Sequence, residues 1–107
     1  MRLQSPAFAD QAHIPQKYVM PGAGGDNVSI PYTWTDVPEG TRSFALALID
    51  PHPVANNWIH WLVINIPAQV RELPEGASGR GMPDGSRELT NSFGEVGYGG
   101  PQPPKGT

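Results

Sequence analysis

The chain has no cysteine among its 107 residues, so disulfides and thiolate metal sites are unavailable and stability has to come from packing. It also lacks long apolar runs. The longest, residues 44–49, is six residues, against the roughly 20 that a membrane-spanning helix needs. Met1-Arg2 is followed by Gln4, Ser5 and Pro6 instead of a signal-peptide core, so a cytoplasmic address and no stable membrane insertion are expected. Cationic excess is missing as well: 7 Lys and Arg against 10 Asp and Glu give a net charge of −3, and the basic residues are scattered. This excludes the electrostatic footprint of a nucleic-acid or anionic-lipid binder. No stretch of fifteen residues is free of both Gly and Pro, which excludes a helical bundle. What the chain has in abundance is turn chemistry, with 13 Gly and 13 Pro. That content borders on the disordered range, but the apolar residues gather in dense runs, and one folded domain over residues 1–107 is expected.

Residues 43–49 (S-F-A-L-A-L-I), between Gly40 and Pro51, predict a strand that is apolar on both faces and therefore covered on both sides. Residues 59–66 predict a second two-sided strand, with His60, Leu62, Ile64 and Ile66 on one face and Ile59, Trp61, Val63 and Asn65 on the other. Residues 28–34 predict a third, with Pro31 in its middle arguing for an edge or a bulge, and residues 3–8 a short N-terminal piece. Residues 21–27 and 38–41 carry turn signals, and the Gly-, Pro- and Ser-rich segment 73–91 reads as a surface loop. Short strands with frequent turns predict a mainly β fold, an antiparallel sandwich with little helix.

The chemistry concentrates where the first strand ends, at Asp50-Pro51-His52-Pro53, with His60 eight residues after His52 on the next strand. If the intervening loop joins the strands directly, Asp50 and His60 fall at facing ends, where cross-strand neighbours lie about 5 Å apart. A carboxylate beside an imidazole favours the imidazolium, a donor suited to a small oxyanion, and binding should weaken as that ring loses its proton. A satisfied core histidine is the plainer reading of His60. Asp50, His52 and His60 also have the ligand types of a two-histidine, one-carboxylate metal site, as a small hydrolase or metal-dependent enzyme would use, although the spacing does not demand it. The glycines of residues 91–104 free the backbone to offer N–H groups to an anion. No serine sits in a G-x-S-x-G elbow, and Gly22 to Gly25 lack the Lys-Ser/Thr of a nucleotide loop.

Segments S-P-A-F at 5–8, N-V-S-I-P at 27–31 with Trp34, P-E-G-T-R-S-F at 38–44, Asp50-Pro51, His60-Trp61 with N-I-P at 65–67, L-P-E-G at 73–76 and G-Y-G-G-P-Q-P-P-K-G at 97–106 run in one order along the chain. In these the sequence resembles the phosphatidylethanolamine-binding proteins, and within them the prokaryotic Raf-kinase-inhibitor-like branch of YbhB/YbcL type. The resemblance implies a sandwich around a large antiparallel sheet, with a pocket for phosphate or a phosphoryl head group. It implies that Asp50 and His60 are the pocket's carboxylate and histidine, that Gly100 and Pro104 form its wall, and that Trp58 flanks it. It implies no catalytic reaction and no cofactor, and it leaves room for a protein partner and for a homo-oligomer.

Two departures stand out. The family's D-P-D-A-P is Asp50-Pro51-His52-Pro53-Val54 here, so His52 stands where an acid often stands and the loop is one residue shorter. The family pattern also continues past P-P-x-G into a segment with a second pocket histidine and a tyrosine, so this chain is expected to be a cleaved or incomplete form.

Overall fold

A computed structural model describes residues 1–9, 11–51 and 58–101. Six strands form two antiparallel three-stranded sheets. One sheet has β1 (Arg2–Gln4), β2 (Tyr32–Thr35) and β5 (Glu72–Leu73) in the order β1-β2-β5. The other has β3 (Ser43–Asp50), β4 (Trp58–Pro67) and β6 (Arg87–Glu88) in the order β3-β4-β6. Among the described residues, helix is confined to two 3-10 turns, Gln16–Tyr18 and Pro21–Ala23.

The sheets meet through aromatic rings. Tyr32 of one lies 6.5 Å from Trp61 of the other, and Trp34 contacts the edge of Phe44 at 5.5 Å. Ile30, Leu46, Val63, Ile66, Leu73, Tyr18 and Tyr98 complete the core. Each such apolar side chain contributes about 1.5–3 kcal/mol relative to exposure, which is how a chain without cross-links holds together.

β3 starts after the Pro38–Thr41 turn, where Gly40 takes a left-handed φ of 87°. Its inner face is Phe44, Leu46 and Leu48. The other face, Ala45, Ala47 and Ile49, is exposed, which corrects the expectation of a strand covered on both sides. A run of apolar letters cannot tell a covered face from an open one when two of the three residues on that face are alanine, whose methyl exposes little surface.

β4 departs from simple alternation. Leu48 lies opposite Trp61 and Ile49 opposite Ile59, which leaves His60 as an extra residue; Phe44 lies opposite Ile66 and Leu46 opposite Val63, which leaves a second one beside Asn65. Asn65 has φ 57°. These bulges shift the face parity, so that His60, Trp61, Val63 and Ile66 are all buried, whereas strict alternation separates His60 and Ile66 from Trp61 and Val63. β2 begins at Tyr32, so Pro31 stands just before the ladder, where its missing N–H costs nothing. The N-terminal strand ends at Gln4, with Ser5 and Phe8 forming a lone bridge, and the segment expected to be a loop supplies β5's Leu73 and all of β6.

Candidate functional site around Trp58 and His60

The site lies at the end of the β3–β4 pair. Register sets Asp50 opposite Trp58, so the facing pair is Asp50–Trp58 instead of Asp50–His60, with His60 two residues further along β4. Cross-strand partners project to one face, and the bulge turns His60 inward beside Trp61, so all three side chains belong to the inner side. Asp50 is half-buried and His60 only 8% exposed. His52 and Pro104 lie outside the described residues.

The segment after β6 closes the free edge of β4. Leu89 N–H donates to the Leu62 carbonyl at 2.9 Å, Ser92 N–H to Ile59 at 2.8 Å and Gly99 N–H to His60 at 2.8 Å. Within it, buried Asn91 accepts the Phe93 N–H at 2.9 Å through Oδ1 and donates to the Gly97 carbonyl at 2.9 Å through Nδ2. The turn so built presents the Phe93 ring to Trp58 (5.1 Å, edge-on) and to His60 (6.0 Å).

Two polar atoms define what the site can do. His60 Nδ1 is 2.8 Å from the Gly99 carbonyl. A carbonyl only accepts, so Nδ1 carries the hydrogen. The Trp58 Nε1–H is buried and has no hydrogen-bond partner among the described residues. An unpaired buried donor costs about 1–3 kcal/mol, which an acceptor oxygen would recover.

Gly100 lies against the 16–27 segment. A Cβ there would stand 2.1 Å from the Tyr18 carbonyl oxygen, and its N–H donates to Asn27 Oδ1 at 2.7 Å. Tyr98 donates to the Tyr18 carbonyl at 2.7 Å, and Met20 N–H to the Pro101 carbonyl at 2.9 Å. Burial holds the Tyr98 phenol above its usual range, so it is a neutral donor. From the sequence Asn27, Asn91 and Phe93 stood only within the 21–27, 27–31 and 91–104 segments, with no role for their side chains, and Gly99 only among the glycines of the last. The signal for Asn27 was faint: an asparagine ending a Gly-rich turn, the side chain best suited to its φ of 53°.

A separate groove of about 500 Å³ is lined by Pro6, Lys17, Tyr18, Thr33, Glu72 and Glu75 among others, and by none of the residues chosen from sequence. Its carboxylate Glu75 is already paired, with Lys17 at 2.9 Å and with the Tyr18 hydroxyl.

Two facing sheets with a histidine-bearing bulge at one end define a β-sandwich. The family model for phosphatidylethanolamine-binding protein matches residues 4–107, and the chain belongs to this family. It is 44% identical to the UPF0098 protein YbhB of Escherichia coli (strain K12) over 99% of this chain and 70% of that protein. With YbcL of the same organism it shares 47% identity over 79% of this chain and 49% of YbcL. The E. coli YbcL crystal structure superposes with a TM-score of 0.91 at 40% identity, covering 99% of this chain and 68% of YbcL. CT736 of Chlamydia trachomatis, described as a homologue of the same family, gives 0.80 at 35% identity over 96% of this chain and 65% of CT736. Against several relatives the chain thus spans about half to two thirds of their length.

Proposed function

We propose that the Asp50–Trp58–His60 end of the sandwich holds a small oxyanion, phosphate or a phosphoryl head group, and binds it without transforming it. The observation that carries this reading is the buried Trp58 Nε1–H, which has no hydrogen-bond partner among the described residues and stands beside an imidazole whose Nδ1 is already committed. An oxyanion bridging Trp58 Nε1 and His60 Nε2 satisfies both. Family membership supports the same ligand class, and a protein partner that reads the loaded pocket is compatible with it. The alternative, a hydrolase using Asp50, His52 and His60, gains nothing from the register, which gives Asp50 a tryptophan as its facing residue.

The test is a phosphate titration followed by NMR on the Trp58 indole and His60 imidazole. Both signals should move with one saturating curve. A His60 signal that stays still at saturating phosphate would reject the reading.

A further inference from the structure

His60 Nδ1 is held by the Gly99 carbonyl, and Asn27 Oδ1 holds the Gly100 N–H. That carbonyl and that N–H are the two ends of one planar peptide group, so fixing either end orients the other. The group has little freedom to turn. A Cβ on Gly99 would stand 2.5 Å from Phe93, and one on Gly100 2.1 Å from the Tyr18 carbonyl oxygen, so the peptide is wedged between a ring and a neighbouring backbone. Asn27 is itself anchored, its N–H donating to the Val19 carbonyl at 2.8 Å. Donation to Asn27 also polarises the peptide and strengthens its carbonyl as an acceptor.

We infer that Asn27 is a positioning residue for the His60 ring: acting through the Gly99–Gly100 peptide, it fixes the Nδ1–H tautomer and leaves Nε2 as a lone pair. This rests on the proposed anion site and sharpens its ligand class. A neutral ring in this tautomer accepts at Nε2, so the oxyanion it meets must bring its own proton, as a monoprotonated phosphate or phosphomonoester does. Sulfate carries no proton and is met well only by the imidazolium. Among the described residues, the ionisable groups on the elements packed against His60 and this peptide are Asp50 at the end of β3, Arg87 and Glu88 on β6, Glu95 in the 91–96 turn, Tyr98 in the segment after β6, and Lys17, Tyr18 and Asp26 in the segment behind Gly100. Of these, Tyr98 stays neutral.

Nitrogen NMR of the His60 ring distinguishes the tautomers directly. With the ring seen to be neutral, the wild-type chain should show the Nδ1–H form and bind inorganic phosphate about tenfold more tightly than sulfate, the worth of one well-placed hydrogen bond. The preference should shrink once the ring is seen to be protonated. Asn27→Gly keeps the positive φ but removes the acceptor, and should shift the ring toward the Nε2–H form and weaken phosphate binding about tenfold. Asn27→Asp keeps an acceptor and should restore both, which a merely structural role would not explain. A wild-type Nε2–H tautomer, an Asn27→Gly ring identical to wild type, or sulfate matching phosphate at the neutral ring each overturns the inference. The wild-type readings stand even where Asn27→Gly does not fold. A ring in the Nδ1–H form that responds to Asn27→Gly while neither anion binds supports the relay and rejects the anion-binding function.

Discussion

The two ends of β4 each carry one residue more than β3 opposite them, and they use it differently. Beside Asn65 the extra residue costs little: the asparagine is exposed, takes φ 57°, and the bulge brings Ile66 back into phase with Trp61 and Val63. At His60 the same device buries two successive side chains, one of them polar. A bulge that restores hydrophobic phase sustains itself, whereas one that takes an imidazole inside needs partners, and here they are Gly99 and, behind it, Asn27.

Substitutions along this contrast should rank as follows. Trp61→Ala, between the two bulges, should have the largest effect, about 3–5 kcal/mol in urea unfolding, because it empties the centre of the core and removes the donor at 2.9 Å from Glu88. A loss below about 1 kcal/mol would mean that the sheets do not meet at this residue. Gly100→Ala forces a methyl onto the Tyr18 carbonyl and should cost about 1–3 kcal/mol while detaching residues 97–101, read as a broadened or shifted His60 signal. Trp58→Phe deletes the donor that has no partner among the described residues. Thermal unfolding should be unchanged or rise by the equivalent of about 1 kcal/mol, while phosphate affinity drops, and a clear loss of stability would show that the indole N–H is satisfied after all. Asn65→Gly should change stability by less than about 1 kcal/mol, since glycine accepts the left-handed conformation freely.

The smallest effect lies away from β4, at Glu75. The Tyr18 hydroxyl, then the Lys17 ammonium, hold its carboxyl below the usual carboxylate range, while burial, helped by the same contact with Glu75, pushes Tyr18 up to about 12. A carboxylate depressed on folding contributes stability that is complete above its unfolded value and is lost as pH falls through its folded one. Tyr18→Phe should therefore raise the Glu75 midpoint in a carboxyl NMR titration and flatten the acid limb of stability slightly, because Glu75 is exposed to solvent.

Much of this was legible in the sequence. The apolar run 43–49 marks β3 to within a residue, the run from Trp58 to Pro67 is too apolar and too β-branched to be a loop, and the order of short motifs marked the family. Trp58 entered only through the family resemblance, whereas Asp50 and His60 were singled out as candidates because polar groups at the end of an apolar strand are conspicuous. Asn27 and Phe93 were not, because their importance comes from what they touch far along the chain.

The sequence by itself determined strands instead of helices, since glycine and proline interrupt every helical window, and it determined which run would be buried. Only the tertiary structure decided which face each residue of β4 presents, because alternation survives just until the first bulge and the bulges are set by pairing with β3. It also decided the state of His60, since the peptide that accepts its Nδ1–H is contributed by residues 39 and 40 positions away and is held in place by an asparagine more than 70 positions from those.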